Sequence, residues 1–262
     1  PYAVYARHVL NLRVLDPLDA EPGAPERGEF IHDALDRFVR EWPEHLPPDA
    51  VDRLIAIGRA VFEPAMGRPG IQAFWWPRFE RIAAWFVEQE RLRRQVPLKI
   101  GTERKGSMTI AAPSGPFELH GKADRIDRFA DGSLAIVDYK TGSLPRAALV
   151  AAGAAPQLAL EAVIAQRGGF QDIAAGAVAE LAYWRLSGGD PAGEVQPAGG
   201  RKAVPAELTD AAEAGLAAYI AAFDREETPY LSQPRPDLVP RFSDYAHLAR
   251  VAEWGRGGGG DE

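Results

Sequence analysis

The stretch "LAIVDYKTG", residues 134–142, constrains this chain more than any other. Its apolar run reads as a buried strand, yet it ends by setting Asp138 and Lys140 two positions apart. Side chains alternate along a strand, so Leu134, Ile136, Asp138 and Lys140 share one face, while Ala135, Val137 and Tyr139 share the other. The preceding "GKADRIDRF" carries Asp124 and Asp127 on opposite faces of its own strand. The connection "ADGS" can close in two ways. A two-residue Asp131-Gly132 turn pairs Ala130 with Ser133 and sets Asp138 opposite Arg125. A three-residue loop, Ala130 to Gly132 with Gly132 left-handed, sets Asp138 opposite Asp124. The second register converges Asp124, Asp138 and Lys140 on one patch.

Two carboxylates facing each other across a ladder repel, at a cost of up to about 1 kcal/mol when exposed and more when buried. A divalent cation between them reverses that sign. Oxygen ligands in an open arrangement suit Mg²⁺ or Mn²⁺. Lys140 beside such an ion can steady a negatively charged substrate, and metal-bound water with a lysine is equipment for hydrolysing a phosphodiester. The strand therefore reads as one wall of a metal-dependent active site.

Helices precede it. "GEFIHDALDRFVREW" lines up Phe30, Ile31, Ala34, Leu35, Phe38 and Val39 and stops at Pro43. A second helix is expected from about Asp49 to Phe62 and a third after Pro77. The opening "PYAVYARHVLNLRVLDPL" has helical spacing up to Pro17, and "LDAEPGAPERG" reads as a loop. After "VPLK" the period shortens to that of an antiparallel meander. "APQLALEAVIAQRG" returns to helix, "GAVAELAYWRLS" is a strand, and "GGDPAGEVQPAGGRKAVP" is a loop before a long helix. The tail "RFSDYAHLARVAEW" is expected to be a short helix, and residues 255–262 a disordered end. The expectation is one α+β domain over residues 1–254, helical to about residue 96 and catalytic beyond it. The start on Pro rather than Met suggests a piece of a longer protein.

Cysteine is absent, which excludes disulfides and thiolate-held zinc or iron–sulfur clusters from this chain. A net charge of −7 argues against a surface that coats polyanions, though an acidic metal site can sit inside a locally basic groove. No apolar run approaches the length of a membrane helix, so no membrane partner is expected.

Asp124, a hairpin and "VDYK" together resemble the PD-(D/E)XK nucleases, in which Asp and (Asp/Glu)-x-Lys bind metal. "GKADRIDRFADGSLAIVDYKTG" is similar to the signature of the RecB-type nuclease domain. "RGEFIHDALDRF" supplies Gly28 and His32 where that family has a metal-binding His. "PQLALEA" supplies Gln157 where it has a "Q-L-x-x-Y" helix, and the two ends of the chain look like those of AddB-type nuclease subunits. The resemblance implies a restriction-endonuclease-like core, a central mixed sheet with an antiparallel hairpin flanked by helices. It implies a cation, Mg²⁺ or Mn²⁺, held by His32, Asp124 and Asp138. Asp124, Asp138, Lys140 and Gln157 would be catalytic. It further implies DNA ends as substrate, an AddA-like helicase–nuclease partner, and a bacterial, nucleoid-associated cytoplasmic setting. Two departures stand out. The family's Tyr is Glu161 here, and the four cysteines that hold an iron–sulfur staple in many AddB-type domains are missing, so no cluster is expected.

Each residue also has a plainer reading. Asp138 and Lys140 could be a same-face ion pair, and Asp127 rivals Asp124 as a ligand. His32 could be a satisfied core histidine, and Gln157 a first-turn helix residue. Glu103 lies in "TERKG", which also reads as turn chemistry, and is left out of the site. Arg125 and Arg128 could touch DNA phosphates or offset neighbouring acids. Trp75, Trp76 and Trp85 fit core packing better than base stacking. Besides a domain of a helicase–nuclease, the chain could be a standalone exonuclease or an inactive DNA-end-binding module.

Overall fold

The computed structural model describes residues 1–13, 23–235, 245–250 and 253. Two compact units emerge, residues 22–221 and a second formed by residues 1–21 with 222–262. In the second unit α1 (Tyr2–Val4) runs into a wide helical turn, Tyr5–Val9. Helix ends there, before Asn11 turns the backbone left-handed (φ 53°), so Leu12 falls outside it. Pro17 and most of the expected tail helix lie outside the described residues; Tyr245–Arg250 form turns.

The larger unit opens with α2 (Ala24–Glu41), α3 (Ala50–Phe62) and α4 (Trp76–Arg93). Helix α2 begins a turn earlier than its apolar stripe suggests. Pro25 tolerates the first turn because its missing N–H would have no partner there, and the Gly23 amide donates to Glu26 Oε2 at 2.8 Å. Five strands follow, β1 (Leu98–Ile110), β2 (Phe117–Phe129), β3 (Leu134–Lys140), β4 (Val178–Leu186) and β5 (Gly193–Pro197), side by side in that order. Strands β1 to β3 pair antiparallel as the meander pattern predicts, but β4 runs parallel to β3. The crossover between them carries α5 (Ala147–Ala151) and α6 (Gln157–Gln166), and α7 (Pro205–Phe223) ends the unit. The sheet is mixed and the class α+β. Strand β5 lies in the segment read as loop; its five residues, "GEVQP", are too few and too polar to show an apolar period.

The central strand β3 is buried on both sides, which is why its sequence is nearly all apolar. Val137 and Tyr139 face α2–α4 with Phe38, Phe79, Phe86 and Trp184, whereas Leu134 and Ile136 face α6 with Leu158, Ala162 and Val163. Helices α3 and α4 approach closely at Gly58, where a Cβ would stand 2.0 Å from the Phe79 ring. Trp76 is in this core and Trp85 packs edge-on against Trp184, as expected of core aromatics.

The β2–β3 hairpin takes the three-residue loop. Gly132 has φ +86°, the Phe129 amide donates to Ser133 O at 2.9 Å, and Arg125 pairs with Val137. Continuing that register by one pair sets Asp124 opposite Asp138.

Asp127 and Arg125 are fully buried beneath α4. Arg125 donates to Asp127 Oδ1 at 2.7 Å and pairs with Glu90, while Arg93 binds Asp127 and Glu180. Asp127 is thus a clamp between sheet and helix rather than a ligand. Arg125 cannot meet a DNA phosphate, because burial at this position demands that its charge be neutralised from within. Arg128 donates to the carbonyls of Ala174 and Ala175.

Candidate active site

Glu103 and Asp124 occupy matching places on β1 and β2, between the ladder pairs Thr102–Arg125 and Arg104–Ala123. Both strands change phase there. Thr102 and Arg125 face the α2–α4 side, where they meet Asp36 and Glu90. Two residues on, regular alternation would keep the same side, yet Gly106 packs on Phe170 and Ala123 joins the α6 core. The local cause is Glu103, whose φ of 51° is left-handed, a conformation that costs a non-glycine residue about 1 kcal/mol or more. Inside a continuous strand, "TERKG" makes a kink instead of a turn, so the expected turn is a correction. The kink opens the sheet beside β3, and Asp124 fills the opening, its Oδ2 accepting from the Tyr139 amide at 2.8 Å.

From one side α2 brings His32. Gly28 and His32 lie four residues apart on one helical face, and Gly28 brings that face so close to Thr141 that a Cβ would stand 3.3 Å from its Oγ1. His32 Nδ1 is 3.5 Å from Asp124 Oδ1 and 3.9 Å from Glu103 Oε1. Its ring meets Tyr139 edge-on at 5.7 Å. One ligand atom from each of His32, Glu103 and Asp124 lies within 4.8 Å of the others. An imidazole nitrogen and hard carboxylate oxygens form a donor set that fits a divalent cation. Burial alone would lower the pKa of His32, but the hydrogen bond to Asp124 and the charges of Asp124, Glu103 and Asp138 outweigh it and raise the value. Glu103 also pairs with Lys122. These groups line an open cavity of about 910 Å³ together with Lys140 and Thr141.

From the α6 side come Asp138, Lys140 and Gln157. Lys140 Nζ donates to Asp138 Oδ1 at 2.9 Å and stands 2.8 Å from Oδ2 without directing a hydrogen bond at it. Gln157, the first residue of α6, donates to Asp138 Oδ1 at 3.0 Å, donates to Glu161 Oε1 at 3.1 Å, and accepts from Lys140 at 3.2 Å. Asp138 is 2% exposed; burial first, then the Asp124 charge, push its pKa up to about 6 against the pull of Lys140. Glu161, one turn along α6, is held at about 8, chiefly by burial and further by Asp138 and Asp124.

Of the residues singled out in the sequence, His32 and Asp124 come together directly, and Asp138, Lys140 and Gln157 form a second group coupled to them through Asp124. Asp138 stands outside the tight ligand trio. Sequence reasoning leaves Glu103 out; its signal is the position opposite Asp124 on the neighbouring strand. Glu161 has a free buried oxygen, Oε2, where the resembled helix has a Tyr.

A kinked hairpin presenting Asp, Asp-x-Lys and a helical His at one opening is the arrangement of a metal-dependent phosphodiesterase. The sequence profile of the PD-(D/E)XK nuclease superfamily matches residues 1–235, and the chain belongs to that superfamily. It is 28% identical over 170 residues to an uncharacterized protein of Rickettsia bellii (strain RML369-C), covering 65% of this chain and 20% of the relative. An uncharacterized protein of Rickettsia felis (strain ATCC VR-1525 / URRWXCal2) is 27% identical over 174 residues, covering 65% and 20%. An ATP-dependent helicase/deoxyribonuclease of Clostridium perfringens (strain SM101 / Type A) is 29% identical in one of its subunits over 170 residues, covering 55% and 14%. The chain thus spans about a fifth or less of the length of these relatives. Among the described residues, no helix is long and apolar enough to cross a membrane.

Proposed function

We propose that this chain is the nuclease domain of an AddB-like protein, a Mg²⁺-dependent deoxyribonuclease acting as an exonuclease on broken DNA ends in the bacterial cytoplasm. An AddA-like helicase–nuclease partner would deliver the strand. The observation that carries the reading is Asp124, one carboxylate bonded to the β3 backbone and coupled both to His32 and to the Asp138–Lys140 pair. The similarity to the Clostridium helicase/deoxyribonuclease supports the helicase–nuclease context.

His32, Asp124 and Asp138 would hold the cation, with Glu103 as a further acid. When bound, the cation lowers the pKa of a water and offsets charge on the phosphate. The rest falls to the chain. Asp138, buried and raised to about 6, is poorly tolerated as an anion without a counter-charge, so the site favours taking up a cation. Lys140 places its ammonium toward the scissile phosphate, where negative charge grows as the bond breaks. Gln157 fixes Lys140 and Asp138 by one hydrogen bond each, and Glu161 fixes Gln157.

The test is degradation of end-labelled single- and double-stranded DNA with Mg²⁺ or Mn²⁺. The wild type should degrade DNA only with the metal, and Asp138→Ala, checked for folding by circular dichroism, should not. Binding of DNA ends by the wild type without cleavage under either metal would favour an end-binding module instead.

A further inference from the structure

Beyond the turn that follows Lys140 lies a second cavity, of about 430 Å³, sharing Thr141 and Gly142 with the acidic one. Arginines from three separate elements reach its wall: Arg27 of α2, Arg78 of α4 and Arg185 of β4. Arg185 is the register partner of Lys140 on the neighbouring parallel strand, so the cavity sits against the proposed site by construction of the sheet. Its wall is rigidly built. Gly188, at φ +63°, lies so close to α4 that a Cβ would stand 2.5 Å from the Arg78 carbonyl oxygen, and Arg81 pins the Gly188 carbonyl at 2.6 Å.

Charge in this cavity is uncompensated. Arg27 donates to the Thr141 carbonyl at 3.2 Å, and its pKa is lowered first by burial and then by Arg78. Two guanidiniums therefore approach each other with no carboxylate between them. Asp190 and Glu194 line the same cavity, and Glu194 faces Arg185 across the β4–β5 ladder, yet none of the three arginines forms an ion pair among the described residues. Repelling cations around a concave, preformed space fit an anion, and the planar fork of arginine suits a phosphate. We propose that this cavity is a phosphate subsite that grips the DNA strand next to the phosphodiester being cleaved. The proposal rests on the nuclease reading and adds where the strand lies: over the Thr141–Gly142 turn, toward α4 and β4.

The experiment measures binding of a fluorescent single-stranded oligonucleotide by anisotropy in EDTA, so that no cleavage intervenes, over a range of salt concentrations. For wild type, log K should fall with log salt by about 0.7 per phosphate contact. The double variant Arg78→Gln/Arg185→Gln should bind about tenfold more weakly at low salt, with a slope shallower by roughly 0.7 to 1.4. Arg91→Gln, which removes a surface charge on α4 elsewhere, should leave both unchanged. Run with 5′-phosphorylated and 5′-hydroxyl strands, the loss is the same for both if an internal phosphodiester occupies the cavity. It is confined to the phosphorylated strand if the terminal phosphate does. Wild-type affinity and slope in the folded double variant, while the wild-type protein still cleaves DNA with Mg²⁺, would overturn the subsite and leave the nuclease reading standing. A wild type that neither binds nor cleaves overturns both.

Discussion

Replacing Glu161 by Gln should make the protein less sensitive to alkaline pH, and the size of the effect follows from its surroundings. Glu161 is 4% exposed, receives one hydrogen bond from Gln157 and leaves Oε2 with no partner. Its pKa rises from 4.5 to about 8. Below pH 4.5 the folded and unfolded chains both hold the proton, and the group has no effect on the pH dependence. Between 4.5 and about 8 the unfolded chain ionises while the folded one keeps its proton, so stability is lost steadily as pH rises. At about 1.4 kcal/mol per pH unit, the ceiling on that loss is about 5 kcal/mol. Water entry and relaxation around a newly charged buried group reduce it, and about 2 kcal/mol is expected in practice. Glutamine keeps the oxygen that Gln157 uses and has nothing to ionise. Guanidinium denaturation of both proteins in EDTA, at about pH 5, 6.5 and 8, reads the difference directly. Glu161→Gln should gain on the wild type as pH rises and level off above about 8. A gap independent of pH would show that Glu161 is ionised in the folded protein and that this account of α6 is wrong.

Three further outcomes can be checked. Glu103→Gln should weaken Mn²⁺ binding by about tenfold or more in calorimetry, because it removes an acid within ligand distance of His32 and Asp124 while Asp138 remains. Arg125→Met should destabilise by about 3–5 kcal/mol in chemical denaturation, since it strands the buried carboxylates of Glu90 and Asp127. Gly58→Ala should cost about 1–3 kcal/mol by pushing α3 off the Phe79 ring, measured as a lower melting temperature with unchanged helical circular dichroism.

The sequence exposed the site better than the scaffold beside it. "VDYK" and a possible left-handed Gly132 were enough to frame two registers, and the observed loop is the one that faces Asp124 toward Asp138. Local pattern alone could not choose, because both loops are good hairpins. The roles of Asp127 and Arg125 were unreadable for a different reason. Their partners Glu90 and Arg93 lie on α4, more than thirty residues away, and only the packing of that helix on the sheet makes them structural. Glu103 is hard to find because a left-handed residue within a long strand leaves no compositional mark. Helix α2 starts early because Pro25 and Glu26 cap a turn that carries no apolar residue to extend the stripe. The parallel pairing of β3 with β4 is set by the crossover through α6, whose apolar faces were visible while its direction was not.

The most direct test of the central claim is an anomalous difference map from crystals soaked in Mn²⁺. One strong peak should appear in the opening between β2 and β3, about 2.0–2.4 Å from His32 and Asp124. A further carboxylate oxygen, from Asp138 or Glu103, should complete the protein ligands. Crystals that diffract well yet show no ion at Asp124, or an ion bound only elsewhere, would contradict it.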